Sequence, residues 1–411
     1  MMTSMTGAEG FVDTRRWLLG YLALVLAAIP AVVAGTGESP WDAYNKGVEA
    51  YGARRYSEAF ERWQDLVLQP LPRGLRSPVW FQLGNAQFRL GEPFEAGAPE
   101  QAVEWWRRSL EAYRTVLERS PRHAAAGHNL RLASARLAQL LRQLGLEAFE
   151  AAERQPLDSA IDLLDDGLGR LDEAVAWQPA DRGIQADRDR VALALKGRLI
   201  ERAAQSEAKG DQEAARATEW GDPEAGGQYQ AALDDLGEAI GRPAAAAGVP
   251  GVESAEAGRE AGGLDRSARE AQSRVRQKLS DLLTRMGRRE QRTGEANAKW
   301  DTSSAIEPYE AALGYFREAQ QVQADHEEAR RGEREARAAL GQLRLRMGDT
   351  ELAEGRDRLA RRSPDAAGPL ASALGNFEAA LELDSGSVAA RSGAEEARRL
   401  LPEALVLGGQ R

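Results

Sequence analysis

The sequence of 411 residues contains no cysteine. Disulfide bonds, thiolate metal sites, cysteine nucleophiles and a lipid anchor on an N-terminal cysteine are therefore excluded. Histidine is nearly as scarce, because His123, His128 and His326 are the only three in the chain. No recognisable motif surrounds them, so a histidine metal site or catalytic triad would need widely spaced residues. We expect a protein that is not an enzyme and that holds no metal or cofactor.

Motifs for phosphate and calcium are also missing from the sequence. No glycine-rich phosphate loop follows a strand, so a nucleotide is not indicated. The acidic stretch 158–173 brings Asp162, Asp165 and Asp166 close together but lacks the spacing of a calcium loop, which favours a solvated helix face. Lys and Arg number 54 against 64 Asp and Glu, and the net charge of -10 excludes a general polyanion binder. We predict no nucleic-acid partner.

Aromatic residues make up only 6% of the chain, and Val, Ile and Thr are few. Ala, Leu, Glu and Arg dominate instead, a composition that favours helices over sheets. Hydrophobic residues reach 43%, which is enough for one or two packed domains. The composition therefore predicts an all-α protein.

The N-terminus has the layout of an export signal. Arg15 and Arg16 precede an apolar run over residues 17–29, and small residues stand before a possible cleavage point after Ala34. An uncleaved membrane anchor is the alternative. In either case the body of the protein is expected outside the cytoplasm, in the periplasm or on the outer face of the inner membrane. Membrane contact is expected only through residues 1–35.

Two interleaved patterns recur through the rest of the chain. In one, a Leu is followed at three residues by a large apolar residue and at six by Ala or Val, which is one stripe of a helix. In the other, two small residues lie seven positions apart. The stripes are Leu110/Tyr113/Val116, Leu168/Leu171/Ala174, Leu233/Leu236/Ala239, Leu313/Phe316/Ala319 and Leu374/Phe377/Ala380. The small pairs are Gly84/Gly91, Gly145/Ala152, Ala203/Gly210, Gly287/Gly294 and Gly348/Gly355.

Together the two patterns predict a series of helical hairpins. Small residues inside a helix let its neighbour approach closely, and the second of each pair is predicted to close the helix in a left-handed turn. Each stripe is followed by a stop signal, namely Pro121, Pro179, Pro243, Asp325 or Asp384.

These hairpins resemble the tetratricopeptide repeat (TPR) family, in which helix A carries a small residue and helix B an Ala and an aromatic residue. Gly47 matches the helix A site, the run 56–59 opens helix B, and Trp63 takes the aromatic site. The run 80–84 and Phe88 repeat the family's Trp, Leu, Gly and aromatic succession. With the segment His128-Asn129-Leu130 shortly after the repeat's Pro, the chain also resembles exported repeat proteins of the bacterial aerotolerance-operon type.

The resemblance covers residues 41–400, but beyond residue 122 helix A becomes longer than in the family, running from about Ala124 to Ala152 in one unit. We therefore predict a TPR-like helical-hairpin solenoid with lengthened helices, preceded by an N-terminal signal or anchor helix. Its expected parts are a signal peptide or anchor at 1–35, repeats at 36–240, a flexible insertion at 241–263, repeats at 264–400 and a tail at 401–411, which is expected to fray from Leu405 onward.

The resemblance implies a binding groove lined by helices A. If Gly47 and Gly84 hold the family's helix A site, the groove residues are Tyr44, Val48, Tyr51, Phe81, Asn85 and Phe88. Aromatic residues in a groove are expected anchors for a partner, although any one of them can instead pack in the core. The family's carboxylate clamp is not reproduced, because Tyr44 and Val48 stand where it has Lys and Asn.

A second candidate surface is the run Trp105, Trp106, Arg107 and Arg108. Adjacent side chains on a helix point about 100° apart, so one Trp can be buried while the other is exposed. An exposed Trp among arginines would suit an acidic partner or lipid headgroups. The alternative is that both rings pack between hairpins and the arginines form ordinary surface pairs.

The sequence thus predicts an exported scaffold or adaptor that binds partner proteins in the cell envelope through a helical groove. The alternative is a structural component of an envelope complex that associates with itself through its long helices.

Overall fold

The computed structural model describes residues 38–216, 223–242 and 252–408, and within these ranges it contains α-helices and short 3-10 turns but no strand. The predicted signal segment lies outside the described residues. The helices are α1 Pro40–Gly52, α2 Tyr56–Val67, α3 Arg73–Gly91, α4 Pro99–Arg119, α5 Ala124–Ala152, α6 Leu157–Trp177, α7 Arg182–Arg216, α8 Pro223–Gly241, α9 Val252–Asn297, α10 Ile306–Val322, α11 Glu327–Ala360, α12 Ala367–Leu383 and α13 Val388–Gly408. The prediction of an all-α fold is confirmed.

Polar side chains at the helix starts explain several of the boundaries. His123 Nδ1 accepts a hydrogen bond from the backbone N–H of Ala126 at 3.1 Å, and His326 Nδ1 does the same for Ala329 at 3.2 Å. These bonds satisfy N–H groups that the first turn of a helix leaves without an internal partner. Two of the three histidines therefore act as helix caps.

The described residues form two compact units. Unit 1 contains residues 38–141 and 176–178, and unit 2 contains 142–175 together with the described residues from 179 onward. Within unit 1, consecutive helices pack in pairs from α1 to α4, and within unit 2 they do so from α7 to α13. Alternate helices of unit 2, such as α7 and α9 or α9 and α11, also touch. Each unit is thus a series of antiparallel hairpins, as predicted.

A glycine of helix A facing a ring of helix B recurs in the hairpins. A Cβ atom built on Gly84 would lie 2.8 Å from Tyr113 Cε1, and one built on Gly348 would lie 2.7 Å from Phe377 Cε1. Carbon atoms do not approach that closely, so each ring occupies the space that a helix A side chain would take. Of the fifteen stripe residues, all but Leu233 and Leu374 are buried. The small residues of one sequence pattern and the rings of the other therefore belong to neighbouring helices and pack directly on each other.

The prediction that the second small residue closes its helix in a left-handed turn is wrong. Gly91 has a right-handed φ of -73°, and Gly294 and Gly355 lie inside α9 and α11. Gly294 is small because a ring packs on it as well, since its Cβ would lie 2.8 Å from Tyr309 Cδ2. Among the described residues no glycine has a φ in the left-handed region, and the other residues with a positive φ are Arg54 and Arg362.

Several helix boundaries agree with the sequence and two do not. α5 spans Ala124–Ala152 as predicted. The flexible insertion predicted over 241–263 is wrong for residues 252–263, which form the start of α9, where Ala261 is buried. Residues 243–251 lie outside the described ranges. The tail predicted to fray from Leu405 is helical as far as Gly408.

Candidate functional site

The six predicted groove residues lie on two helices of unit 1. Tyr44, Val48 and Tyr51 follow the i, i+4, i+7 spacing that puts them on one face of α1, and the other three do the same on α3. Val48 is 38% exposed, and the other five are half-buried. We call the surface formed by the following residues the aromatic–amide face: Tyr44, Val48, Tyr51, Phe81, Asn85, Phe88, Arg89 and Asn129.

Two fully buried tryptophans hold the aromatic part of this face in place. Trp63 Nε1 donates a hydrogen bond to the carbonyl oxygen of Tyr44 at 3.3 Å, and Trp106 Nε1 donates to that of Phe88 at 3.2 Å. The Phe88 ring stacks on Trp106 with 5.6 Å between ring centroids, and the Tyr44 ring lies 6.4 Å from that of Trp63. The outer rings are therefore supported from below by the core.

Asn85 lies at the centre of the polar part of the face. Its Oδ1 accepts one hydrogen bond from the Tyr113 hydroxyl and one from Asn129 Nδ2, both at 2.8 Å. Its Nδ2 donates to Gln82 Oε1, also at 2.8 Å. The bond to Asn129 joins α3 to α5, and the bond to Tyr113 joins α3 to α4. Asn85 is thus held by three helices.

Tyr113 is a neutral hydrogen-bond donor at physiological pH. The side chain is only 2% exposed, and burial raises the pKa of Tyr113 to about 12. Hydrogen bonds with Ser109 and Asn129 offset part of that rise in pKa. The hydroxyl hydrogen therefore stays on Tyr113 and is directed at Asn85.

Arg89 connects the first two helices of the face. Hydrogen bonds to Tyr51 and Glu92 raise the pKa of the Arg89 guanidinium above its ordinary value. Arg89 Nη1 donates to Glu92 Oε1 at 2.9 Å. Because Tyr51 belongs to α1, this contact joins α1 to α3 as Asn129 joins α3 to α5. The predicted residues Tyr51, Asn85 and Phe88 are thereby brought onto one continuous surface.

Arg89, Tyr113 and Asn129 were not predicted as site residues. Arg89 directly follows Phe88, so helical spacing alone could have placed it at the edge of the face. Tyr113 was recognised only as a stripe residue, and its hydroxyl gives no signal in a hydrophobic pattern. Asn129 lies 44 residues from Asn85 in the chain, and only the packing of α5 beside α3 brings them together.

The second candidate surface divides between the two interpretations. Trp106 is fully buried, whereas Trp105 is half-buried and meets the ring of Phe60 edge-on at 5.2 Å. Arg107 and Arg108 are exposed, and the Arg108 guanidinium lies 5.3 Å above the Trp105 ring and pairs with Glu104. The adjacent rings thus differ in burial, but neither is fully exposed.

In unit 2, helices α7 and α9 are separated by one helix in the chain, as α3 and α5 are in unit 1. They contact each other through ion pairs. Lys196 of α7 is 1% exposed and pairs with Asp265 of α9. Further along the same two helices, Glu207 accepts from Arg274 at 2.9 Å and from Lys278 at 2.8 Å. The bonds from Arg274 and Lys278 hold the pKa of Glu207 below its usual value against the opposing effect of burial.

No group of three or more His, Asp and Glu side chains in the described part of the chain could hold a metal ion. Among the helices of that part, none is long and apolar enough to cross a membrane.

No family model matches the chain, and no curated protein matches its sequence. Matched solved structures include a tetratricopeptide repeat protein from Parabacteroides merdae, with 11% identity, 87% of this chain and 98% of that chain covered, and a TM-score of 0.19. The nuclear import adaptor Nro1 of S. pombe matches with 11% identity, 87% and 97% coverage and a TM-score of 0.22. Yeast Tom70 matches with 11% identity, 94% and 91% coverage and a TM-score of 0.11.

Proposed function

We propose that this protein is a non-catalytic scaffold that binds other proteins through the aromatic–amide face of unit 1. The supporting observation is that the groove residues predicted from helix A remain partly accessible on an ordered surface, while the stripe residues around them are buried. Aromatic rings backed by a rigid core and flanked by amides are typical of surfaces that recognise polypeptides.

The proposal extends to location. From the signal-like pattern at the N-terminus of the sequence we infer a scaffold outside the cytoplasm, in the periplasm or tethered to the outer face of the inner membrane. A partner would then be a protein of the cell envelope. The aerotolerance-operon type of repeat protein stays a prediction from the sequence.

A peptide library tests the face directly. The full chain is used to select 12-residue peptides displayed on phage. Each selected peptide is then titrated against two variants, Val48→Asp in the face and Leu132→Asp on α5, about one turn beyond Asn129. Both side chains are exposed, at 38% and 56%, so the fold should tolerate the changes. We expect affinity losses of tenfold or more, because a charge would face apolar peptide side chains.

The matched control is Leu68→Asp, which adds the same charge in unit 1 at a residue that is 80% exposed and lies outside the face. Equal affinity in all three variants, or selection of no peptide at all, would contradict a binding role for this face.

A second candidate function is self-association, and one observation favours it. On α13, Val388, Leu405 and Val406 are 75%, 58% and 61% exposed. Apolar side chains in such number on one helix suit contact with a second copy of the chain. Sedimentation velocity of the full chain and of the variants Leu405→Glu and Val406→Glu separates the two functions. A dimer that both variants dissociate supports self-association, and a monomer at all concentrations rejects it.

A further inference from the structure

Helices α7, α11 and α13 of unit 2 each begin at a side chain that accepts a hydrogen bond from the first turn. At α7, Asp181 Oδ1 accepts from the backbone N–H of Ile184 at 3.1 Å. At α13, Ser387 Oγ accepts from the backbone N–H of Ala390 at 3.3 Å. At α11 the cap is His326. Of these three types of cap, only histidine ordinarily changes its charge between pH 5 and 8.

Both ring nitrogens of His326 have partners, and the partners define which nitrogen carries the hydrogen. Nδ1 accepts from the backbone N–H of Ala329 at 3.2 Å, so it carries none. Nε2 lies 2.9 Å from Oδ1 of Asp281 on α9, and the oxygen of an ionised carboxylate only accepts, so Nε2 donates. These contacts require a neutral imidazole with its hydrogen on Nε2, at a residue that is 7% exposed.

A proton added to this imidazole has one place to go. It binds Nδ1, where it meets the backbone N–H of Ala329, and two donors then face each other across the cap. That hydrogen bond is lost. The bond from Nε2 to Asp281 remains and becomes an ion pair. Protonation of His326 therefore exchanges the cap of α11 for a stronger contact with α9.

The charges around His326 come from three elements. Two cations, Lys278 and Arg285, lie about one turn to either side of Asp281 on α9, and residues 319–322 of α10 are uncharged. The positive end of the α11 macrodipole opposes an imidazolium at this place. The carboxylates that favour it are one on α9 and three within two residues of the ring in the chain, namely Asp281, Asp325, Glu327 and Glu328. These counter-charges accommodate an imidazolium, but none of them replaces the lost acceptor of the cap.

The first turn of α11 lies where it meets the hairpin of α9 and α10. Ala329 is fully buried and belongs to the same apolar cluster as Leu282 and Leu283 of α9 and Ala319 of α10. The Ser280 hydroxyl of α9 donates to the carbonyl oxygen of Ala319 at 3.1 Å, so α9 and α10 are joined here without the histidine. Loss of the cap therefore loosens the start of α11 and leaves the preceding hairpin intact.

His123 of unit 1 has only the first half of this arrangement. Its Nδ1 caps α5 by accepting from Ala126, but its ring lies on the ring of Phe81, with 5.1 Å between centroids. Among the described residues no carboxylate is hydrogen-bonded to its Nε2. The exchange of a cap for an ion pair is therefore specific to His326.

We propose that His326 is a pH-sensitive fastening at the connection between α10 and α11. Above the titration range of histidine the ring caps α11 and is tied to α9 at the same time. Below that range it stays tied to Asp281 and releases the first turn of α11. The fastening is independent of the aromatic–amide face, so binding of a partner at that face neither supports nor contradicts it.

Amide exchange in the full chain labelled with 15N-alanine tests this directly, because the capped residues of α11 and α13 are both alanines. From about pH 8 to about pH 5, corrected for the intrinsic rate, the protection of Ala329 should fall about five- to tenfold, as expected for the loss of a cap. Ala390, capped by Ser387, should change by less than about twofold. In His326→Asn, Ala329 should stay protected throughout, because asparagine caps a helix and does not titrate.

Unchanged protection of Ala329 in wild type would overturn the proposal. An equal loss at Ala390, or an equal loss at Ala329 in His326→Asn, would also overturn it, because the loosening would then be general. If the variant does not fold, the imidazole 15N spectrum of wild type decides instead. We expect a bare Nδ1 and a protonated Nε2 for His326 at about pH 8, and both protonated at about pH 5. A ring that stays neutral, or one that carries its hydrogen on Nδ1 at the higher pH, would contradict the fastening.

Discussion

The two units share one packing contact, in which the ring of a tyrosine packs on a glycine of the preceding helix. They differ in the residue that accepts the hydrogen bond of the tyrosine hydroxyl. In unit 1, Tyr113 packs on Gly84 and donates its hydroxyl to the next residue, Asn85. In unit 2, Tyr229 packs on Gly210 and donates its hydroxyl to the next residue, which is Asp211. The tyrosine ring and the glycine are the same in both contacts. Only the acceptor of the hydroxyl differs, which is the amide of Asn85 in unit 1 and the carboxylate of Asp211 in unit 2.

That difference decides what the surrounding surface can do. Asp211 attracts Lys278, and the resulting ion pair satisfies both partners within the fold. Asn85 attracts Asn129 instead, and two neutral amides satisfy each other only in part. The residue that follows the packing glycine therefore forms an ion pair within the fold in unit 2. In unit 1 we propose that it belongs to the surface that contacts a partner.

We expect the largest loss of stability when a ring that packs on a glycine is removed, because this contact is common to both units. Phe377 is fully buried, and a Cβ on Gly393 would lie 2.4 Å from its Cζ. Phe377→Ala should cost about 3 to 5 kcal/mol of the free energy of unfolding, because the cavity cannot close against a rigid backbone. Hydrogen exchange should show the loss concentrated in α11 to α13, since repeat units contact mainly their neighbours. Ser372→Ala, at an exposed position of the same helix, is the control and should change stability by less than about 0.5 kcal/mol.

The second effect concerns only unit 2. Glu207→Gln removes the charge that holds Arg274 and Lys278, and we expect a loss of about 2 kcal/mol in urea unfolding. Added salt should reduce the difference between variant and wild type. An unchanged stability would mean that the ion pairs between α7 and α9 do not fasten the unit. Glu104→Gln, at the exposed pair with Arg108, is the matched control in unit 1.

The sign of the pH dependence follows from the lowered pKa of Glu207. The folded state binds the proton of Glu207 less readily than the unfolded chain, so this contribution to stability is complete above the ordinary value of 4.5. It is lost as the pH falls from there through the lowered value. Unfolding curves recorded from pH 6 to pH 3 should therefore converge for wild type and Glu207→Gln, and a gap that widens on acidification would contradict this assignment.

The third effect compares the two tyrosines. Tyr113→Phe and Tyr229→Phe keep the rings and remove the hydroxyls, and each should cost about 1 kcal/mol. The cost at Tyr229 should be the larger, because its acceptor Asp211 is charged. Urea unfolding measures both losses of unfolding free energy. Equal losses, or a larger loss at Tyr113, would contradict a stronger hydrogen bond at Tyr229.

The raised pKa of Tyr113 also predicts a loss of stability at alkaline pH. Its folded pKa of about 12 lies above the ordinary value of 10.0, so its contribution is present below pH 10 and is lost as the pH rises towards 12. Wild type should lose more stability than Tyr113→Phe over this window, and phenolate absorbance gives an independent titration. Parallel loss in both proteins would place the alkaline sensitivity elsewhere.

The smallest effect is expected at the second candidate surface. Arg108→Ala removes an exposed contact with Trp105 and an exposed pair with Glu104, and should change stability by about 0.5 kcal/mol or less. Thermal unfolding provides the measurement. A clearly larger loss would mean that Arg108 packs into the hairpin rather than covering it.

Hydrophobic period and small residues were enough to predict the hairpins and the limits of α5. They also identified Tyr113 and Phe377 as core residues, because burial is a property that each residue carries in its own helix. The same reasoning failed at residues 252–263, where a composition rich in Gly and Ala suggested a loop but the chain forms the start of α9. The left-handed turns failed because a glycine needed for close packing has the same appearance in the sequence as one needed for a turn.

By itself the sequence determined that the chain forms helical hairpins, which helices pair with their neighbours in the chain, and where a small residue lets the next helix approach closely. These features depend on contacts between adjacent helices, and regular spacing encodes them. Only the tertiary structure decided that Asn85 meets Asn129 while Asp211 meets Lys278. Such contacts join helices that are not adjacent in the chain, so their register depends on the tilt and offset of the helix between them. No local pattern of side chains records that geometry.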